Sequence, residues 1–438
     1  MNLTYFPMVR DRRVSRSDPG RDQRHIRAPR GDLPAACEGN GTMTKMNREV
    51  LVAGVGMVPF AKPGQSPSYD EMGAEAIRLS LADAGIEYGL VEQAYAGFVF
   101  AGSCAGQRTI YKAGMTGIPI VNVNNNCSTG STALYLARQA VESGLVDCVL
   151  AVGFEQMSPG AIGDAFPHLV SPFAEFDAAC DAMVDIELPL ALRYFGGAGK
   201  SHMEKYGTTL EDFAKVRAKA SRHAANNPLS VFRKVMSEED VLDAPVIWPG
   251  VMTKPMACPP TCGGAAALLV SRDFAKRHNL DPKVRIAAQA MATDTAITFE
   301  AHDMIELVGA DMTRHASNSV YEATGIGPED IKVVELHDCF AHNEVISYEG
   351  LGLCPEGGAA QFIADGDNTY GGRTVTNPSG GLLSKGHPLG ATGLAQSYEL
   401  THQLRGTAED RQVEDVRHAL QHNLGLGGAC VVTMYEQV

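Results

Sequence analysis

The chain has 438 residues and a formal net charge of −14, long enough for two or three domains and too acidic for non-specific nucleic-acid binding, which needs a basic surface. Its make-up is 45% hydrophobic, 20% charged and 7% aromatic with 46 glycines and one tryptophan, which points to a soluble α/β protein with close helix–sheet packing. No uninterrupted apolar run reaches the roughly 18 residues of a membrane span, while an anionic ligand remains compatible with a local cationic patch.

In chain order, the first 47 residues are rich in Arg, Asp, Pro and Gly and lack hydrophobic periodicity, which predicts a disordered extension. Asp11, Asp18, Asp22 and Asp32 break the acid-poor rule of a transit peptide, so an upstream start codon, with Met43 or Met46 as the natural one, is the expectation. The ordered part is predicted to begin at Arg48. Residues 49–56 read as a buried strand ending in a glycine turn, 69–84 as an amphipathic helix, 97–100 and 118–123 as strands, 128–143 as a helix and 147–153 as a strand. This β–α–β alternation predicts a mainly parallel α/β sheet.

Residues 154–260 break the pattern, with more Met, Pro, His and Phe and short helical segments, and read as an insertion. A strand at 265–270 completes the first half, so that 48–153 plus 261–280 form one unit and 281–438 a second. The halves echo each other: small residues after Cys127 and again after His387 open a helix directly behind an irregular loop, and a strand follows each.

Four clusters carry chemistry. Asn124-Asn125-Asn126-Cys127-Ser128-Thr129-Gly130 places a cysteine after a strand at a helix start, where free N–H groups and the helix dipole favour a thiolate; a buried structural cysteine gives the same pattern. Glu335-Leu336-His337-Asp338-Cys339-Phe340 follows an apolar run, at a strand-to-loop junction where His337 and Cys339 can both turn toward a site or simply pack. In Gly386-His387-Pro388-Leu389-Gly390, a histidine sits between Gly and Pro at a helix start, a good base for a thiol. His422-Asn423-Leu424-Gly425-Leu426-Gly427-Gly428 is a glycine-rich turn between strands, whose N–H groups suit an oxyanion hole and which no helix follows, so it is not a dinucleotide fingerprint.

Ten cysteines are scattered along the chain with no secretory signal ahead of them, which predicts a reducing, cytoplasmic setting. Cys258 and Cys262 lie four apart, but no second Cys/His pair stands at zinc-site spacing, and no metal is expected. The end, Glu436-Gln437-Val438, is not a peroxisomal tripeptide.

In this order and spacing, the clusters resemble the thiolase superfamily, and within it the sterol carrier protein X type. The resemblance runs from about residue 48 to the end. It includes Asn122 to Cys127, His202-Met203-Glu204-Lys205-Tyr206-Gly207, Leu353 to Gly357, Gly366 to Gly372 and Ser384 to Gly393. It implies two duplicated βαβαβαββ halves in a five-layer α-β-α-β-α core. It implies Cys127 as the acylated nucleophile, His387 as its activator, His337 in place of the usual Asn, and Cys339 as the proton carrier, because Asn423 stands where standard thiolases have their second cysteine. Gly425 is implied to pair its N–H with that of Cys127 in one oxyanion hole, and His337 with His387 to form the other. CoA is then a substrate and no cofactor is needed. The resemblance also implies a homodimer or homotetramer, built on edge strands of the first half; the expected departure from some relatives is that the chain ends without the lipid-transfer domain fused to them.

The implied reaction is cleavage of a 3-ketoacyl-CoA, with a medium, long, branched or sterol side chain, to acyl-CoA plus acetyl-CoA or propionyl-CoA. Within the insertion, Arg233 and Lys234 beside Phe232 are the expected grip on the CoA nucleotide. His342 and the stretch Pro260-Thr261-Cys262-Gly263-Gly264 depart from the common pattern and bear on substrate shape. Two rivals remain: a condensing enzyme, against which Cys339 argues, and a partner-dependent retro-aldolase or binding scaffold, against which the intact Cys/His set argues. Cys430 competes with Cys339 as second thiol, although nothing in the strand alternation turns it toward the site.

Overall fold

The apolar runs of the sequence become strands whose two faces are both covered, but the sheet is mixed rather than the mainly parallel one that the β–α–β alternation predicts, because the last strand of each half returns antiparallel to both of its neighbours. The computed structural model describes residues 48–160 and 168–438, and the predicted extension over 1–47 lies outside them. The strands are β1 (Val50–Met57), β2 (Gln93–Gly97), β3 (Ile120–Val123), β4 (Cys148–Glu155), β5 (Val246–Trp248), β6 (Met252–Thr253), β7 (Gly263–Ser271), β8 (Val284–Ala292), β9 (Val333–Glu335), β10 (Val375–Thr376), β11 (His418–Gly425) and β12 (Ala429–Gln437). All but β5 and β6, which pair with each other, join in the order β10-β9-β11-β12-β8-β1-β7-β4-β2-β3.

Side-chain alternation separates the layers. Val50 and Val52 of β1 face a central core that also holds Ala133, Leu134 and Val141 of the helix Thr129–Glu142 and Leu394, Ala395 and Leu400 of the helix Thr392–Arg405. Val284, Val333, Ala419 and Tyr435 close the same core from the second half. Leu51 and Ala53 face the other way, onto Ala76, Ile77 and Leu81 of the helix Tyr69–Ala84. The second half has its own outer layer, where Leu420, Val432 and Met434 meet Met312, Ala316 and Val320 of the helix Ala310–Thr324. Outer helix, strands, central helices, strands, outer helix: the five layers implied by the resemblance are present.

Each half uses its five strands in the same spatial order. In the first half the third, second, fourth, fifth and first strands are β3, β2, β4, β7 and β1; in the second they are β10, β9, β11, β12 and β8. The halves join through β1 and β8 at Leu51 and Arg285.

The predicted strand at 97–100 is displaced. Pairing covers Gln93–Gly97 and stops there because the N–H groups of Val99 and Phe100 turn to the Glu155 carboxylate, each at 3.0 Å. The helix over 69–84 has the predicted bounds, with a Ser68/Glu71 capping box and a left-handed Gly85 at φ 70° to end it.

Between β4 and β7 lie the helices Ala174–Met183, Leu190–Tyr206, Leu210–Ala225 and Glu238–Leu242 and the β5–β6 pair. This segment reaches back over the second half: the N–H groups of Val231 and Phe232 donate to the carbonyls of Lys385 and Ser384 at 3.1 Å each. That contact fixes the chain immediately before Gly386 and His387. No helix among the described residues is long and apolar enough to cross a membrane.

Candidate active site

Cys127 sits on a tight turn between β3 and the helix Thr129–Glu142. Asn126 takes a left-handed φ of 50°, which a short polar side chain tolerates, and the carbonyls of Asn125 and Asn126 accept the N–H groups of Ser128 and Thr129 at 3.1 Å each. The turn is pinned from the second half. Asn126 Nδ2 donates to the Leu426 carbonyl at 3.1 Å, and Gly425 packs so closely that a Cβ there would lie 2.3 Å from the Asn125 carbonyl oxygen. The cysteine is partly accessible, yet the surrounding protein, and then the Glu155 carboxylate, push its thiol up to about 12, against the pull of its own N–H. Desolvation therefore opposes the resting thiolate expected from the helix start.

Two imidazoles lie beside it. One ligand atom each of Cys127, His337 and His387 lies within 4.8 Å of the others. Thr392 donates its only hydroxyl proton to the Pro388 carbonyl at 3.0 Å, so at its 2.7 Å contact with His387 Nδ1 it must accept. His387 is then protonated on Nδ1, and Nε2 carries a lone pair. That buried Nε2 has no hydrogen-bond partner among the described residues, and burial lowers the imidazole to about 3, so it stays neutral.

His337 has the opposite tautomer. Asn423 Nδ2 donates to the Cys127 carbonyl oxygen at 3.1 Å; because a carbonyl only accepts, this contact fixes which way the amide faces. The same Nδ2 lies 3.1 Å from His337 Nδ1, which must accept, and Ser131 Oγ donates to Asn423 Oδ1 at 2.9 Å. His337 therefore carries its proton on Nε2. Burial, then His387 and His422, hold it well below the usual histidine range. The His337 and His387 rings meet edge-on, centroids 5.1 Å apart: one presents an N–H, the other a lone pair. A soft metal ion would need lone pairs from both rings, and His337 offers none without reversing Asn423, so these residues do not fit a metal.

Cys339 is 3% exposed, and its carbonyl accepts the Cys258 N–H at 2.9 Å. In the sequence Cys258 stands out only as a possible metal partner of Cys262. The structure parts them: Cys262 Sγ contacts the Met157 carbonyl at 3.5 Å, whereas Cys258 and Cys339 each feel the Cys127 thiol. A signal for it exists in the sequence, since loss of the second cysteine at Asn423 asks for a thiol elsewhere. Cys430 lies on the outer face of β12 against Thr313, 3.8 Å from its Oγ1, in the layer opposite the Asn423 side chain. Glu155, which no local motif marks, accepts the N–H groups of Val99, Phe100 and Gly390 at 3.0, 3.0 and 3.2 Å; burial lifts it to about 7. Arg233 and Lys234 are exposed. Arg233 donates to the Ala225 carbonyl at 3.1 Å, and Lys62 covers the Phe232 ring at 5.0 Å.

A partly accessible thiol, a neutral imidazole lone pair, an imidazole N–H and two further thiols thus converge from both halves and from the insertion between them. Family models for the thiolase N-terminal domain and for a thiolase C-terminal domain-like region cover residues 50–238 and 292–435. The chain is similar to sterol carrier protein 2 of Gallus gallus, 52% identical over 405 residues, covering 91% of this chain and 73% of that protein. It is similar to an acetyl-CoA acetyltransferase of Methanothermobacter thermautotrophicus, 32% identical over 396 residues, covering 89% of this chain and 100% of that one. In fold it resembles a solved Ltp2-ChsH2(DUF35) aldolase, with a TM-score of 0.76 at 23% identity over 90% of this chain and 99% of that one. Matched along both halves by one family and aligned with these relatives over most of its length, the chain belongs to the thiolase family of acyltransferases.

Proposed function

We propose that the chain is a degradative thiolase that splits 3-ketoacyl-CoA with free CoA through an acyl-Cys127 intermediate. The observation that carries this reading is the unpartnered His387 Nε2 in one cluster with Cys127 and His337. His387 Nε2 takes the Cys127 proton, and the sulfur attacks the 3-keto carbon, whose oxygen is held by the N–H groups of Cys127 and Gly425. The C2–C3 bond breaks. The departing enolate is held by His337 Nε2–H and by the now protonated His387, and Cys339 supplies a proton to C2. CoA gives its thiol proton to the Cys339 thiolate and attacks the thioester, and Cys127 leaves and recovers its proton from His387.

The acyl chain in this reading is apolar: medium, long, branched or of the sterol side-chain type. Next to the glycine turn, a Cβ on Gly427 would lie 3.1 Å from the Phe173 ring, and Phe173, Phe176 and Phe299 follow in edge contact at 6.3 and 5.0 Å. Arg233 and Lys234 hold the CoA nucleotide. The enzyme works in the cytoplasm as a homodimer or homotetramer through the open edge strand β3, where Val121 is 41% exposed.

The test is mass mapping after incubation with a 3-ketoacyl-CoA lacking free CoA, followed by addition of CoA. An acyl group on Cys127, discharged by CoA, is expected. An adduct on another cysteine, or cleavage that consumes no CoA and leaves Cys127 free, as a retro-aldolase would give, overturns it. Cys339→Ala abolishes thiolysis and Cys430→Ala remains active; the reverse pattern reassigns the second thiol. Sedimentation showing only a 46.6 kDa species at micromolar concentration overturns the assembly.

A further inference from the structure

In the reaction above, which this inference rests on, Cys339 must spend the time between the two half-reactions as a thiolate. Its surroundings oppose that. It is 3% exposed, and burial, the neighbouring Cys258 and Cys127 and then the Asp338 carboxylate all raise its thiol, with the Phe340 N–H pulling the other way. His337, next but one along the loop, is held neutral by burial. A proton carrier works best near the operating pH, so the charged sulfur needs a donor.

The backbone supplies the candidate. Ala257 and Phe340 form an antiparallel bridge, and the Cys258 N–H donates to the Cys339 carbonyl at 2.9 Å. One residue along each strand from that bridge, Cys258 lies directly opposite Cys339. Opposed residues project to the same side with Cβ atoms about 4.5–5.5 Å apart, a spacing that brings two cysteine sulfurs into contact. Of the pair, Cys258 is the partly open one, and its own thiol is raised by burial, Cys127 and Asp338, so it keeps its proton and has it to offer.

We infer that Cys258 is a positioning residue whose S–H donates a hydrogen bond to the Cys339 sulfur and stabilises it as the thiolate. When Cys339 has given its proton to C2 of the leaving enolate, the Cys258 proton points at the new negative charge and stays on its own sulfur. The CoA thiol then returns a proton to Cys339, and the Cys258 S–H is released unchanged.

The test is the pH profile of the bond-forming half of the condensation direction, started from enzyme already acylated on Cys127 and mixed with acetyl-CoA, in which Cys339 acts as a thiolate to take the C2 proton. Cys258→Ala moves the rising limb of that single-turnover rate to higher pH, and every pH unit of that displacement lowers the rate at fixed pH about tenfold; Cys258→Ser, which keeps a donor, restores the native limb. Alkylation of Cys127 by iodoacetamide at the native rate shows that the variants fold. A Cys258→Ala profile that overlays the native one overturns the inference, and so does equal damage in the Ala and Ser variants. Activity surviving in Cys339→Ala but lost in Cys258→Ala makes Cys258 the proton carrier itself and overturns its positioning role. Cys339→Ala inactive with Cys258→Ala indistinguishable from native sinks this inference and leaves the thiolase reading standing.

Discussion

At the scale of single residues, the chemistry depends on which nitrogen of each imidazole holds its proton, and that is decided by one partner near in the chain and one far from it. Thr392 sets His387 from the start of the helix that follows, but His337 is set by the distant Asn423, which also holds the Cys127 carbonyl. We expect Asn423→Asp to lower kcat about 10²–10³-fold, the size of effect seen on removing an oxyanion donor. An aspartate in that place accepts rather than donates, so it draws the His337 proton to Nδ1 and leaves a lone pair facing the enolate. Steady-state thiolysis measures the loss, and Asn423→Asp with native kcat would refute the tautomer assignment. Cys127, His337 and His387 stand out in the sequence through the order and spacing of the four clusters together, since the cysteine and His337 motifs taken singly also fit plain packing. The tautomers and Cys258 are not, since an amide's orientation and the thiol opposite another depend on segments that meet only in the fold.

At the scale of elements, the site depends on how closely the β11–β12 turn approaches the nucleophile turn. Gly425 has no room for a side chain: an added Cβ would be 2.3 Å from the Asn125 carbonyl oxygen and 2.8 Å from Ser128 Oγ. We expect Gly425→Ala to force the two turns apart, costing about 1–3 kcal/mol of stability and at least about 100-fold in kcat, since small misplacements of reacting groups are that costly. Urea unfolding and thiolysis measure the two effects, and a fully active Gly425→Ala would show that the turn can shift freely. Helix bounds are legible because caps such as Ser68, Glu71 and Gly85 mark them. The strand expected at 97–100 is misplaced because Phe98, Val99 and Phe100 are apolar enough for a strand, while the buried carboxylate that diverts their backbone comes from the end of β4.

At the scale of the whole molecule, burial of neutral histidines ties folding to pH. His223, His387 and His422 are lowered to about 3 and His342 to about 4, desolvation being the largest cause in each. In the unfolded chain such groups titrate near 6.5. Their contribution is therefore complete above about pH 6.5 and is lost as pH falls toward 4 and 3, at up to about 1.4 kcal/mol per pH unit for each histidine. We expect the urea midpoint to drop steeply between pH 6.5 and 4, and His342→Phe, which removes one titrating group from its packing against Phe213, to flatten that slope. A midpoint independent of pH across this window would refute it. The duplication is legible as an echo of small residues before two helices, but the shared strand order is not, because pairing between strands remote in sequence leaves no local mark.

That shared order places Cys127 and His387 at matching points of the two halves. Cys127 follows β3 and opens the helix Thr129–Glu142; His387 follows β10, the counterpart of β3, and precedes the helix Thr392–Arg405. The thiol and the imidazole thus hold equivalent seats on either side of an approximate two-fold axis. Two identical half-length chains paired about such an axis would set two like residues face to face there, a pair of thiols or a pair of imidazoles. Two unlike residues in equivalent seats require halves of unlike sequence, and a single chain carrying both halves supplies them.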